Sequence, residues 1–409
     1  MTPPPTVAAR KAAGKMRFPF PLLCLTLGAF AIGMTEFLIM GLLPNVAADL
    51  NVSIPRAGQL ITGYALGVAV GAPVLTILTL RIAQKKLLVL LMFIFIVGNA
   101  LSIIAPNYVL LLSARILTAF AHGTFLGVGT LMAARLVKPE KRAGAVSLVL
   151  AGLTIANIVG VPFGTFIGQQ LGWRASFAAI TILGLISLAG IVRFIPKYER
   201  TAPPKLSKEL RSLVKPQVLL MLGTGAFGCA SLFALFTYIT PILETVTGFA
   251  EHNVTYILVL FGIGVTLGNI LGGKLADWKL MPSVILVFGL LAVVLALMTV
   301  MLESPVLAVL AIFVWGIGAF GAFPGINVRI MNEAHEAPLL SSTSTHSFLN
   351  IGNAAGAYLG GVVITHSGLH GVPWLASGLA AVGLLIALWS FALGRRQPAL
   401  SSAEATLTS

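Results

Sequence analysis

Residues 30–44 read FAIGMTEFLIMGLLP, an apolar run with one carboxylate, Glu36, near its middle. From Phe18 to Leu43 the chain carries no other charge, and a helix of 26 residues at about 1.5 Å each reaches across a bilayer. A charged side chain at the centre of such a helix costs roughly 2.5–3.5 kcal/mol on insertion scales, so its presence implies a use.

The rest of the chain is as apolar as this stretch. It is 57% hydrophobic and 9% charged over 409 residues, with a mean hydropathy of +0.99. Soluble domains carry about 25% charged residues, so this composition is that of an all-α membrane protein with many spans. Twelve segments are expected, near 18–41, 57–80, 87–105, 109–134, 144–168, 174–195, 217–243, 254–276, 283–302, 306–328, 339–365 and 372–393. The first is read as a retained span and not a cleaved leader, because it is long, carries Glu36 and runs into LPNVAADL. Cys24 and Cys229 fall far apart within segments one and seven and are read as small apolar residues.

A net charge of +14 would suggest nucleic acid in a soluble protein, but the charges are distributed otherwise. With the N-terminus inside, 23 of the 26 Lys and Arg fall on inner segments and two, Arg56 and Arg174, on outer loops; Arg115 lies within a segment. This asymmetry predicts cytoplasmic termini at an inner membrane, with the basic excess facing anionic lipid and not nucleic acid. The longest polar stretch, 196–216, divides the chain six plus six. The expected organisation is an arm at 1–17, a bundle at 18–195, a linker at 196–216, a bundle at 217–393 and a tail at 394–409. The arm and tail are read as disordered.

The halves repeat. Pro44 matches Pro241, Leu80-Arg81 matches Asp277-Trp278, and NIVGVPFG (Asn157, Gly160, Gly164) matches NAAGAYLG (Asn353, Gly356, Gly360), at offsets of 196 or 197. Two related six-helix bundles around a midplane cavity form a transporter architecture.

Four stretches, GMTEFLIMGLLP, SIPRAG with YALGVAVGAP, ARILTAFAHGTF and GLTIANIVGVPFGTFIGQQLGWRASF, resemble the major facilitator superfamily in its drug–proton antiporter branch. The likeness is to arabinose-inducible, sugar-efflux and chloramphenicol-resistance exporters, and in the second half rests on GGKLADW and the repeat. It implies two pseudo-symmetric six-helix bundles, alternating access, and Glu36 and His122 near a proton and substrate path. It also implies an inner charge latch in the loop after segment two. There TLRIAQKK keeps Arg81 but has Leu80 where the family has aspartate, so Asp277 of the second copy is the better candidate for the latch.

Other chemistries find little support. GNILGGKL (268–275) nearly matches a phosphate loop, but Leu275 replaces the required hydroxyl and no strand precedes it. Gly262, Gly264, Gly268 and Gly272 at this spacing suit close helix packing instead. No HExxH or GxSxG occurs, and no metal, cofactor or enzyme activity is expected.

Three polar features lie within spans. Arg115 and His122 are two turns apart on segment four and share a face. Thr343, His346, Asn350 and Asn353 form a stripe on segment eleven, and Glu36 stands in segment one. Such groups face protein or a watery cavity. Glu36, His122 and Arg115 are the candidate proton-coupling residues; Asn350, His346, Asn353 and Asn157 are candidate substrate contacts. Each has a structural alternative: the Asn side chains and His346 as bonds between helices, Arg115 as a cation on carbonyls, Glu36 as a fixed ion-pair partner. A carboxylate whose surroundings alternate between apolar burial and a nearby cation takes up and releases a proton. The expected function is proton-coupled export of small neutral or amphipathic molecules by a monomer. Proton-linked uptake and, in another class, a membrane sensor or scaffold are the alternatives.

Overall fold

The computed structural model describes residues 20–79, 81–198, 215–333 and 338–407, and their side chains except at 76, 143, 338–344 and 395–407. The arm at 1–17, residues 199–214 of the linker, Leu80 and the side chain of Thr343 lie outside the described residues. Among the described residues, twelve helices are long and apolar enough to cross a membrane. They are α1 (Phe20–Gly41), α2 (Ile54–Thr79), α3 (Gln84–Ile103), α4 (Tyr108–Leu136), α5 (Pro139–Leu171), α6 (Trp173–Phe194), α7 (Pro216–Thr245), α8 (Glu251–Trp278), α9 (Leu280–Met301), α10 (Pro305–Glu333), α11 (Thr345–Ser367) and α12 (Gly371–Gly394). Each expected segment lies on one of them. The helix of α12 runs on to Leu407, where an irregular tail was expected.

With an even number of spans, the beginning of α1 and the end of α12 lie at one end of the molecule, the terminal end; the opposite end is the far end. α3, α6, α9 and α12 turn large apolar side chains outward at helical spacing, among them Leu90 and Phe93, Ile182 and Ile186, Leu290 and Leu297, and Leu385 and Trp389. In a bilayer those faces meet lipid, and a helical span closes its interior backbone bonds within itself.

The packing repeats between halves. α1 packs on α5 and α6 as α7 packs on α11 and α12, and α2 pairs with α4 as α8 pairs with α10. The repeat extends to the backbone. α1 breaks at Leu42 (φ −116, ψ 13) before a short helix holding Pro44, and α7 breaks at Tyr238 (φ −113, ψ 14) before one holding Pro241. A proline near the start of each short helix costs no hydrogen bond, because the first helical N–H groups have no intrahelical acceptor. The repeat is inexact: α10 breaks at Ala322, whereas α4 runs unbroken from Tyr108 to Leu136. Ala156–Gly160 of α5 winds as a π-helix, whereas the matching stretch of α11 is regular.

The core shows which end is closed. One apolar cluster joins the first half to the far-end portions of the second, from Leu42 and Leu43 across to Leu235, Ile239 and Ile257. At the terminal end the second half packs separately around Met221, Phe288 and Ile326. The cross-half hydrogen bonds recorded among the described residues lie on the far-end side. Asn45 Nδ2 donates to Glu251 Oε1 (2.9 Å), Gln169 Nε2 to the Glu251 carbonyl (3.0 Å), Thr255 Oγ1 to Gln169 Oε1 (3.1 Å) and Thr240 Oγ1 to the Met40 carbonyl (2.8 Å). At the terminal end a cavity of about 740 Å³ opens between α1, α4 and α5, lined by Leu22, Leu136 and Leu148 and rimmed by Lys138, Glu140 and Lys141.

Candidate proton and substrate site

Glu36 sits in the last two turns of α1, where Thr35 through Gly41 are all buried. The reason is local: α1 lies between its own bundle and the other half, so it has no lipid face to give away at this level. Glu36 is 8% exposed, and its Oε2 lies 3.9 Å from Nε2 of His122, itself buried on α4. That separation allows attraction but exceeds a hydrogen bond. Among the described residues the carboxylate has no hydrogen-bond donor and no other ion pair.

Arg115, two turns before His122, is 1% exposed. Its Nη1 donates to the Thr35 carbonyl (2.5 Å) and not to Glu36, and its guanidinium lies over the Tyr64 ring, 4.3 Å from the centroid. Nε and Nη2 have no hydrogen-bond partner among the described residues. Thr35 in turn donates its hydroxyl to Asn99 Oδ1 (2.7 Å), and Asn99 Nδ2 donates to the Phe95 carbonyl (2.9 Å). Tyr64 completes the cluster, with its hydroxyl 3.2 Å from His122 Nδ1. Four helices thus meet around Glu36 through α1, α2, α3 and α4.

The other half closes the site. His346 of α11 comes within electrostatic reach of His122, and Cys229 of α7 within reach of Glu36. Further along the stripe, Asn350 Nδ2 donates to the His346 carbonyl (2.9 Å) and Asn353 Nδ2 to Asn350 Oδ1 (3.4 Å). Asn353 Oδ1 is buried with no hydrogen-bond partner among the described residues. Next to Glu36, Phe37 meets Phe233 and Phe236 across the halves, and Phe236 stacks on Phe261, which abuts Trp315.

The structure therefore brings together Glu36, His122, Arg115 and His346, and places Asn350 and Asn353 on one stripe. Asn157 stands apart. It lies in the π-helical turn of α5, its Nδ2 donating to the Leu153 carbonyl (3.2 Å), at the seam where Gly262 of α8 packs on its backbone. Asp277 is exposed at the terminal end of α8 and makes no ion pair among the described residues, and Arg81 is exposed in the loop between α2 and α3. Tyr64, Thr35 and Asn99 were missed. The signal that singles out Glu36, a polar group inside an apolar span, also marks Asn99 and Tyr64, but only their packing shows what they serve.

Three comparisons bear on this arrangement. The Major Facilitator Superfamily matches residues 25–345. The inner membrane transport protein YdhP of Escherichia coli is 44% identical over 390 residues, 94% of this chain and 98% of that protein. A chloramphenicol resistance protein of Streptomyces lividans is 32% identical over 374 residues, 90% of this chain and 95% of that one. Among solved structures, a bacterial homolog of the human lysosomal transporter Spinster, in an inward-facing and unoccupied conformation, matches with a TM-score of 0.72 at 16% identity. The match covers 91% of this chain and 97% of that one.

Proposed function

The chain belongs to the Major Facilitator Superfamily, and from that premise we propose that it is a proton-coupled exporter with Glu36 as its proton carrier. The observation that carries this reading is that Glu36 is buried yet not locked. Arg115, the full cation of the cluster, directs its hydrogen bond to the Thr35 carbonyl, and His122 stands 3.9 Å away. A permanent structural partner of such a carboxylate would be hydrogen-bonded to it, because an incompletely paired buried charge is costly. A group that must be neutral in one state and charged in another is served by this looser arrangement.

The substrate is a small neutral or amphipathic molecule, such as a sugar derivative or a chloramphenicol-like compound. An amide stripe, neighbouring aromatics and a single acid suit hydroxyl- or amide-bearing ligands. Export as the direction is inferred from the likeness to a chloramphenicol resistance protein, since moving a drug out of the cell is one way to resist it. The 23-to-two charge asymmetry puts both termini in the cytoplasm of a bacterial cell, so the closed far end faces outward and the cavity rimmed by Lys138 and Lys141 opens inward. In the opposite state Asp277 and the Arg81 loop form the latch at the inner mouth. The unit of transport is the monomer.

Proteoliposomes with an imposed pH gradient test the carrier, with labelled chloramphenicol and a thiogalactoside as probes. Glu36→Gln keeps the shape and removes the titration. Uphill transport should stop while exchange at equilibrium survives. Uphill transport by a well-folded Glu36→Gln protein would remove Glu36 from the carrier role.

A further inference from the structure

Tyr64 is a member of the buried cluster that touches His122 directly and that the proton cycle leaves without a task. It is 2% exposed in α2, and its ring is fixed from one side by the Arg115 guanidinium. Its hydroxyl is 3.2 Å from His122 Nδ1, and that nitrogen is its only recorded hydrogen-bond partner among the described residues. A buried O–H with no acceptor carries a desolvation penalty, whereas a phenol oxygen that fails to accept a bond loses less. The hydroxyl therefore donates and Nδ1 accepts. The cation over the ring strengthens that donation by drawing on the same π system.

A neutral imidazole has one N–H. With Nδ1 accepting, the proton sits on Nε2, the nitrogen that faces Glu36 Oε2 at 3.9 Å. We infer that Tyr64 is a positioning residue: it holds His122 as the neutral Nε2–H tautomer, aimed at the Glu36 carboxylate, and so keeps the transported proton on Glu36. This rests on the reading of Glu36 as the carrier. In this arrangement His122 can gain a second proton only at Nδ1, and only after the Tyr64 hydroxyl turns to accept. The charged and titratable groups around the pair are Glu36 from α1, Arg115 from α4, His346 from α11 and the Cys229 thiol from α7. None of these is recorded as bonded to Nδ1, so no second group competes with Tyr64 for setting the tautomer.

The test needs no substrate. The full-length protein, labelled with nitrogen-15 histidine and held in lipid, reports the tautomer of His122 by magnetic resonance, the signal being assigned by its loss in His122→Gln. The wild-type protein should show the Nε2–H form, and an Nδ1–H form would overturn the inference whatever any variant does. Tyr64→Phe keeps the ring beneath Arg115 and removes only the hydroxyl. It should release the tautomer to a mixture and move the pH at which the Glu36 carboxyl band titrates by about half to one unit. That band is identified in infrared difference spectra by its absence in Glu36→Gln. A Tyr64→Phe protein with unchanged tautomer and unchanged carboxyl titration would also sink the assignment. Failure of the carrier reading shows differently: uphill transport would persist in Glu36→Gln while the wild-type His122 tautomer stayed as stated.

Discussion

At the scale of single residues, the polar groups of α11 separate into satisfied and unsatisfied. Asn350 gives one amide N–H to its own helix and accepts at its oxygen from Asn353, so one N–H is left for a ligand. Asn353 Oδ1 is buried without a partner among the described residues, which is costly unless water or substrate supplies a donor. Asn353→Ala should therefore weaken substrate binding by about two- to tenfold, and Asn350→Ala by less. Binding of labelled chloramphenicol and thiogalactoside to the purified variants checks the order. Equal or reversed effects would move the contact to Asn350 or off the stripe. Arg115 shows the same separation from the cation side. From sequence its charge is read either as a potential partner of Glu36 or as a cation on carbonyls; the geometry gives its hydrogen bond to a backbone carbonyl and its face to Tyr64.

At the scale of elements, two kinds of contact fix the helices. α8 meets α10 through Gly264, Gly268 and Gly272, where a Cβ would strike the α10 backbone at Phe313, Ile317 and Gly321. The glycine spacing is thus a packing surface, in accord with the rejection of a nucleotide loop from sequence. At the far end of the first half, Asp49 after the α1 break ties down the start of α6. Its Oδ2 accepts from Arg174 Nη1 (2.7 Å) and Trp173 Nε1 (3.1 Å), while Arg174 Nη2 donates to the Ala105 carbonyl (2.9 Å). The Arg174 hydrogen bond, aided by Trp173, holds the Asp49 carboxyl below the ordinary aspartate range. The ionised form is the one the fold prefers. Its contribution is therefore present above about pH 4 and is lost as the pH falls through the lowered value. Both partners are more than a third exposed, so solvent screening limits the effect to under about 1 kcal/mol. Thermal unfolding across an acid series should show Asp49→Asn slightly destabilised at neutral pH and converging on wild type in acid. A difference that persists in acid would mean that the charge is not the cause.

At the scale of the whole molecule, the far end is held by Glu251, which receives Asn45 through its side chain and Gln169 through its carbonyl. These bonds join the two halves, so they exist only while that end is closed. Glu251→Ala removes the Asn45 acceptor and leaves the backbone bond, and the far-end-open population should rise by about two- to tenfold. Spin labels at Ser53 and Glu303, one on each half, read the change as a longer-distance component. An unaltered distribution would show that the Asn45–Glu251 bond does not hold this end closed. That cluster runs through both halves at the far end and divides at the terminal end, which is the packing basis for one end opening while the other stays shut.

Twelve spans, their six-plus-six division and the internal repeat are fixed by the sequence itself, because each follows from groups adjacent along the chain. Insertion of a span depends on the summed apolarity of about 20 consecutive residues, and a proline or glycine acts on its own turn of helix. The paired breaks at Leu42 and Tyr238 follow the repeated prolines for the same reason. Tertiary structure alone decided what the buried polar groups do. Tyr64 reaches His122 across 58 positions and Arg115 reaches the Thr35 carbonyl across 80, distances over which no periodicity carries information. The π-helical turn at Ala156–Gly160, absent from its repeat in α11, also belongs to this second kind, with its Asn157–Ile158 backbone set against Gly262 of the other half. A polar side chain in a span announces that it needs a partner; which partner it finds is settled by helix rotation and packing, where a hydrogen bond depends on tenths of an ångström.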